Sequence, residues 1–207
     1  ALVRREVIRI ITPGTLTEES LLDSRRNNFL AALAEVNNRF GLAWLDLSTG
    51  EFHLQSVPDS RLSAVLGRID PEEILISDNL LLNKTLEDLL EPWREMLTPS
   101  PVSLFDSTTG KQRLKNCFDT TTSLSLNRFS NEECSAGGAL VDYLELTQKG
   151  RLPHLDPPRR FEEDSVMEID QATRRNLELT VSLAGERQGS LLSAIDHTKT
   201  SFGARML

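Results

Sequence analysis

Residues 40–55 carry the hydrophobic pattern from which the rest of the chain can be interpreted. Successive side chains of a strand point to opposite faces of a sheet, so residues two apart share a face. Here both sets are apolar, which predicts a strand covered on both sides at the centre of an α/β layer. The two faces hold Phe40, Leu42 and Trp44 on one side, and Ala43, Leu45 and Leu47 on the other. Turn formers at 46–50 and a polar/apolar alternation at 51–55 complete a predicted β-hairpin.

Strand and helix patterns alternate around this hairpin. A strand at 29–36 precedes it and completes a predicted three-stranded antiparallel meander. Before the meander, the pattern predicts a short strand at 7–11 and a short helix at 18–26. After it, helix, strand, helix, strand and helix are predicted at residues 58–69, 73–77, 79–90, 102–105 and 108–118. This order predicts an α/β fold with a ribonuclease H-like mixed sheet flanked by helices.

The best-marked helix begins after Ser130. Ser130 and Glu133 have the spacing of a capping box, in which each residue bonds the backbone of the other. Lys149–Gly150 provides the cation and the left-handed glycine typical of a helix end. The interior pair Gly137–Gly138 is unfavourable for a helix, and we interpret it as a site of close packing against the sheet.

The polar face of this helix is the candidate partner-binding site. Its residues are three and four positions apart and therefore share one side of the helix: Asp142, Glu145 and Lys149. Such a face is commonly just solvated. The alternative is contact with a partner protein, which the position of the helix close to a predicted domain edge favours.

A proline-rich segment, residues 152–158, predicts a domain boundary. Beyond it the pattern indicates a strand-like stretch at 162–169, a helix capped by Asp170 and running through Leu183, and another helix beginning at 190–195. This last part is all helical and too short to hold a core. Residue 1 is not methionine, and a helix capped by Thr200–Ser201 has only begun when the sequence stops, so we expect a fragment of a longer protein.

Composition and charge limit the classes of protein to which this chain can belong. With 39% hydrophobic and 26% charged residues among 207, the chain has the composition of a soluble globular protein. Its formal net charge of -8 is unfavourable for gripping DNA phosphates unaided, so a protein partner fits better. Two cysteines, Cys117 and Cys134, indicate a reducing compartment, and no apolar run is long enough to span a bilayer. We therefore expect a cytoplasmic location.

Asp46 raises one catalytic possibility. Nucleases of the ribonuclease H-like fold hold carboxylates around two metal ions, one of them in an Asp-x-Ser/Gly context after the first central strand. Asp46 is followed by Ser48, and three further carboxylates flank the later strands: Glu73, Asp78 and Asp106. The alternative, which we favour, is that Asp46 caps backbone N–H groups of the hairpin turn. A metal-dependent nuclease using Asp46 is the competing function.

Other chemical motifs are incomplete. The three histidines lie far apart in sequence, without the spacing of a zinc site: His53, His154 and His197. Residues 109–112 and 185–190 have parts of a phosphate-binding loop but not its full frame, and the chain has no Gly-x-Ser-x-Gly motif. The sequence therefore predicts no catalytic, cofactor-binding or metal-binding residues in this chain.

Several runs together resemble the MutS family of bacterial DNA mismatch-recognition proteins. Residues 7–15 resemble the exit from that family's mismatch-binding domain. Residues 28–33 and 41–52, which read NFLAAL and GLAWLDLSTGEF, resemble the start of its connector domain. Three later runs resemble the opening of its helical core domain: DQATRRNLEL at 170–179, SLLSAID at 190–196 and GARML at 203–207. These runs follow the family's order along nearly the whole chain.

The resemblance implies a domain division and a function. Residues 1–15 would be a linker from a missing mismatch-binding domain, residues 16–156 the connector domain, and residues 157–207 the truncated start of the helical core domain. The connector would be ribonuclease H-like without nuclease activity. It would couple mismatch binding to the ATPase domain of the same protein and offer a surface to the downstream repair partner, a MutL-type protein.

The resemblance also implies what lies elsewhere in the parent. ATP and Mg²⁺ would bind in the missing ATPase domain, and mismatched DNA would be bound only through the full-length dimer. Phe161 and Glu163 match the family's Phe-x-Glu mismatch motif, but they follow the connector instead of preceding it, so we interpret the match as coincidence. The implied mechanism is a rigid body that moves on two hinges, at Thr12–Gly14 and at Pro153–Pro158.

Overall fold

The computed structural model describes residues 7–18, 22–23, 26–118, 126–150, 152–161, 167, 169, 171–200 and 203–204. Within these ranges the strands are β1 (Phe29–Val36), β2 (Arg39–Asp46), β3 (Phe52–Val57), β4 (Glu73–Ser77), β5 (Leu97–Ser100) and β6 (Arg159–Arg160). The α-helices there are α1 (Leu62–Ile69), α2 (Asp78–Leu81), α3 (Lys84–Leu90), α4 (Ser107–Phe118), α5 (Asn131–Thr147), α6 (Gln171–Asn176) and α7 (Leu191–Ile195). Short 3-10 helices occupy Pro13–Thr15, Asp59–Arg61, Glu91–Met96, Val102–Phe105 and Leu126–Arg128.

The strands form one mixed sheet within the described residues, in the order β5-β4-β1-β2-β3-β6. β1, β2 and β3 are antiparallel neighbours, whereas β4 runs parallel to β1, β5 parallel to β4 and β6 parallel to β3. Parallel neighbours need a crossover connection, and such crossovers place helices on the faces of the sheet. The predicted antiparallel meander and the mixed α/β sheet with flanking helices are confirmed.

β2 separates two hydrophobic cores. Ala43, Leu45 and Leu47 lie in one core with apolar residues of α4 and α5. The other core contains the opposite face of β2, formed by Phe40, Leu42 and Trp44. These side chains pack there with α1, α3 and Trp93. The predicted burial of both faces of this strand is therefore confirmed.

α5 lies in close contact with both the sheet and α4. Its predicted capping box is present, because the Glu133 N–H donates to Ser130 Oγ at 3.4 Å and the Ser130 N–H donates to Glu133 Oε2 at 2.7 Å. A Cβ on Gly137 would lie 2.8 Å from Leu54 of β3, and one on Gly138 would lie 2.1 Å from the Cα of Gly110 in α4. The predicted close packing is confirmed at Gly137, while Gly138 packs against a helix instead of the sheet.

The last strand of the parallel half was predicted in the wrong place. Residues 102–105 form a 3-10 helix, and the strand is β5, immediately before it. Pro99 lies within β5, and because proline is unfavourable inside a sheet the sequence pattern favoured a strand after it. β5 is an edge strand of the described sheet, and proline is tolerated at an edge because its missing N–H removes no interior ladder bond.

Three other predicted elements differ from the structure. The helix predicted at 79–90 is divided into α2 and α3, because Asn83 caps a new start by accepting the Thr85 N–H at 3.1 Å. The helix predicted to run through Leu183 ends at Asn176, and Glu178 follows with a φ of 48°. Residues 7–11 form no strand.

Some predictions fall largely outside the described residues: the helix at 18–26, the strand at 162–169 and the cap at Asp170. The helix predicted to begin at 190–195 is α7, where Ser190 accepts the Ser193 N–H at 3.1 Å. At the cap predicted at Thr200–Ser201, Thr200 is the described residue. Thr200 accepts the Gly203 N–H at 3.1 Å.

Candidate functional site

Asp46 ends β2 and is 1% exposed. Its Oδ2 accepts the Asn28 N–H at 3.0 Å, and its Oδ1 accepts the Ser48 N–H at 2.7 Å and the Ser48 hydroxyl at 2.6 Å. Both oxygens are therefore occupied by local donors that join the hairpin turn to the start of β1. This is the turn-capping role that the sequence predicted.

The three further carboxylates of the nuclease hypothesis occupy separate environments. Glu73 lies buried in β4, Asp78 is exposed at the start of α2, and Asp106 is exposed just before α4. Asp106 accepts the Thr109 N–H at 2.7 Å, and hydrogen bonding to Thr109 lowers the pKa of its carboxyl. Among the described residues, no group of three or more His, Cys, Asp or Glu side chains could hold a metal ion. The nuclease alternative therefore gains no support.

Glu73 instead joins three distant parts of the chain. Its Oε2 accepts the Thr12 hydroxyl at 2.6 Å and the Gly14 N–H at 2.9 Å. Its Oε1 accepts the Thr98 hydroxyl of β5 at 3.0 Å and the Tyr143 hydroxyl of α5 at 2.7 Å. Burial, the largest cause, raises the pKa of Tyr143, so its hydroxyl keeps the proton that it donates.

Residues 10–15, which we call the incoming segment, are held at further points. The Ile10 N–H donates at 2.7 Å to the carbonyl of Thr147, the last residue of α5. The Asn28 side chain donates at 2.9 Å to the carbonyl of Pro13. The segment that the sequence predicted as a hinge is therefore bonded to Asn28, just before β1, and to β4 and α5.

The proline-rich break, predicted as the second hinge, is likewise bonded to the domain. The Asp156 N–H donates to the Gly50 carbonyl at 2.8 Å, and β6 then pairs with β3. Arg160 of β6 donates to both carboxylate oxygens of Glu133, at 3.0 Å from Nε and 2.6 Å from Nη2. This bond to Glu133 is the main reason that the pKa of Arg160 is raised. We call residues 156–161 the outgoing segment.

Phe161 ends the outgoing segment. Its N–H donates to the Leu54 carbonyl at 2.9 Å. The Arg68 guanidinium lies over its ring, 3.8 Å from the centroid, and Trp44 packs beside it. Trp44 also stacks on His53, whose pKa is lowered chiefly by burial. This packing gives Phe161 a structural role in the described domain.

The predicted polar face of α5 divides in the structure. Asp142 forms an ion pair with Arg113 of α4, with 3.0 Å between Nη2 and Oδ1. Glu145 remains exposed, and Leu146 beside it is 63% exposed. Lys149 is also exposed, but it does not share the helix face as predicted, because α5 ends at Thr147 and Lys149 has a φ of 53°.

Sequence reasoning missed the roles of Glu73 and Arg160. A carboxylate inside an otherwise buried strand was the available signal for Glu73, since burial of a charge requires donors. Glu133 was recognised only as half of a capping box. Its second role as the partner of Arg160 had no local signal in the sequence.

Within the described residues, α5 is the element that contacts both segments. Its N-terminal turn binds the outgoing segment through Glu133, and its last residue, Thr147, binds the incoming segment by accepting the Ile10 N–H. Tyr143 of the same helix donates to Glu73, which in turn binds the incoming segment. No helix in this described part is long and apolar enough to cross a membrane.

Comparison with known proteins gives two family matches. Residues 28–156 match the model of MutS domain II, and residues 172–207 match the model of MutS domain III. Curated relatives carry the name DNA mismatch repair protein MutS. One from Ruegeria pomeroyi is 51% identical over 207 residues, and one from Cereibacter sphaeroides is 50% identical over the same length. These alignments cover 100% of this chain but only 24% and 23% of the relatives, so the chain spans about a quarter of their length.

Proposed function

Because this chain belongs to the MutS family of DNA mismatch repair proteins, we propose that it couples mismatch binding to the ATPase domain of a longer protein. In this proposal residues 1–15 are the linker from the mismatch-binding domain, residues 16–156 the connector, and residues 157–207 the start of the helical core domain. Pairing of β6 with β3 extends the connector's sheet slightly beyond residue 156. The connector is a ribonuclease H-like domain that performs no nuclease chemistry.

The observation that carries the proposal is that one helix holds both chain segments. A displacement of the incoming segment acts on the C-terminal end of α5 through the bond from Ile10 to Thr147, and the same helix is bonded to the outgoing segment at its N-terminal turn. A helix packed this closely transmits displacement as a rigid element, because its neighbours leave no room for it to bend. The movement of the connector then occurs outside residues 10–15 and 156–161.

In the proposed division of labour the chain itself neither hydrolyses ATP nor distinguishes a mismatched duplex. ATP and Mg²⁺ belong to the ATPase domain of the parent, and mismatched DNA is bound by the full-length dimer. The chain's net charge of -8 agrees with this assignment. A gel shift of the chain alone that favours mismatched over matched DNA would contradict the proposal.

The proposed contact surface for the MutL-type partner is the polar face of α5. Glu145 is exposed on α5, Lys149 is exposed just beyond its C-terminal end, and Asp142 fixes the face against α4. Reversing all three charges should weaken binding of the partner about tenfold or more, since complementary charges set both encounter rate and register.

The matched control reverses charges on α3, where the exposed side chains have the same composition: Lys84, Glu87 and Asp88. This control should leave partner binding unchanged. Equal binding by the α5 variant and the parent would exclude the proposed surface.

A further inference from the structure

We propose that Glu73 is the positioning residue that latches the incoming segment onto the connector. Two of the donors that hold the segment in place converge on this one carboxylate. The consequence for coupling rests on the proposed function, whereas the latch itself is a property of this chain.

The latch depends on all the hydrogen-bond donors to Glu73 being present together. Glu73 is 3% exposed, and the four groups that donate to it are neutral hydroxyls and one backbone amide. A buried carboxylate needs several such donors at once to replace the water that it has lost. Removing the incoming segment takes away both donors of Oε2, so this oxygen favours the docked state.

A close steric approach accompanies these bonds. A Cβ added at Gly14 would lie 2.9 Å from the Cβ atoms of both Leu30 and Glu73. Those atoms belong to neighbouring strands in direct register, so they have little freedom to move away. Only glycine therefore allows the backbone at this position to reach the carboxylate.

The C-terminal half of α5 closes the latch from the other side. Tyr143 donates to Glu73, and Thr147, one helical turn later, accepts the Ile10 N–H through its carbonyl. Carbonyls of the last turn of a helix lack partners within the helix, so the incoming segment supplies one of them. Ile10 and Gly14 thus carry two amide protons whose exchange with solvent reports docking.

The test is hydrogen exchange at these two amides in the 207-residue chain. In Glu73→Leu, protection at Ile10 and Gly14 should fall about tenfold or more, while amides of Ala32 and Ala43 in the central strands keep their protection. The matched control is Glu72→Leu, at the neighbouring residue, whose partner is Arg26. A uniform fall at all four amides would mean that Glu73 only stabilises the fold, and the latch would be refuted.

A second variant keeps the test decisive if Glu73→Leu unfolds. Gly14→Ala leaves every donor in place and obstructs only the approach of the backbone to Glu73. Amide protection at Ile10 and at residue 14 should therefore fall by a similar factor. Thr12→Val removes one donor of Oε2 and should give a smaller loss in the same direction. Unchanged protection at Ile10 and at residue 14 in Gly14→Ala would overturn the latch. Partner binding through α5 is measured separately, so the latch and the proposed function can fail independently.

Discussion

Glu73 and Glu133 are carboxylates of nearly equal burial, at 3% and 1% exposure, yet their partners differ. Glu73 accepts from neutral groups, and its arrangement depends on the close approach at Gly14. Glu133 accepts from the Arg160 guanidinium with two roughly parallel bonds, in addition to its bond within the capping box. At these two carboxylates, the incoming segment is therefore held by close approach and by neutral donors, whereas the outgoing segment is held by an ion pair in addition to its backbone bonds.

Because of this difference, the attachments of the incoming and outgoing segments can be disturbed independently. Ion pairs with a partly exposed member are screened by salt, and the Arg160 side chain is 43% exposed. Hydrogen bonds from neutral donors to a buried carboxylate are screened little by salt but are lost when the donor is displaced. Conditions that weaken one end of α5 should therefore leave the other end in place.

The largest effect is expected from a substitution in the core beneath α5, the helix to which both segments are bonded. Leu45 of β2 is 0% exposed in the core beneath α5, and Leu45→Asp buries a charge without a partner. The free energy of unfolding should fall by more than about 4 kcal/mol, which is comparable to the whole stability of many domains. We expect no cooperative thermal melt.

Arg39→Asp is the control for this variant, because Arg39 is an exposed residue of the same strand. It should melt almost as the parent does. A cooperative melt of Leu45→Asp near the parent's temperature would show that the burial of Leu45 has been assigned wrongly.

A moderate effect is expected at the outgoing end. Arg160→Met keeps most of the side chain's apolar stem but leaves Glu133 buried without its cation. The free energy of unfolding should fall by about 1–2 kcal/mol, a value reduced from that of a fully buried pair because Arg160 is partly exposed. Urea denaturation at low and high salt should show a smaller salt dependence than in the parent. Arg159→Met, in the same strand, provides the control, and an equal loss in both variants would exclude a specific role for the pair.

A smaller effect distinguishes the incoming end at alkaline pH. Burial raises the pKa of Tyr143 above its ordinary value of 10.0, so the folded state favours the protonated hydroxyl. This contribution is present below pH 10.0 and is lost as the pH rises towards the folded-state pKa. Tyr143 is the 1 tyrosine of the sequence, so tyrosinate absorbance reports it alone. We expect its titration to begin well above that of the unfolded chain, and coincident titrations would contradict the burial.

The smallest effect should appear at acidic pH near the outgoing end. Burial lowers the pKa of His53, whose folded state therefore favours the neutral ring. The resulting stability is present above the ordinary pKa of 6.5 and is lost as the pH falls through that value towards the folded-state pKa. We expect a loss below about 1 kcal/mol, since the ring is only partly buried. His53→Gln should remove this part of the pH dependence of unfolding, and an unchanged dependence would assign it to other groups.

Local patterns in the sequence were sufficient for the centre of the domain. The alternation in β2, the spacing of Ser130 and Glu133, and the turn at Asp46 each depend on residues a few positions apart, and all three predictions are confirmed. Propensity rules did less well where tertiary position overrides them. Proline is unfavourable inside a sheet, so the strand was predicted at 102–105, after Pro99, but the edge position of β5 makes Pro99 acceptable within it.

The candidate site depends on contacts that no local pattern encodes. The donors of Glu73 come from residues 61, 59, 25 and 70 positions away, and Arg160 lies 27 positions from Glu133. Sequence reasoning identified Glu73 only as a possible metal ligand. Its true environment follows from the parallel pairing of β4 with β1, which brings the incoming segment and α5 to the same side chain.

The two edges of the sheet restrict how another protein can recognise this domain. One edge, β5, carries Pro99, which has no N–H to offer to an added strand, and the other edge, β6, spans only Arg159 and Arg160. Recognition by strand addition requires a free ladder of several backbone groups, and neither described edge supplies one. On the described surface, recognition by another protein would therefore use side chains of the helices and loops, where substitution can change specificity without disturbing the sheet.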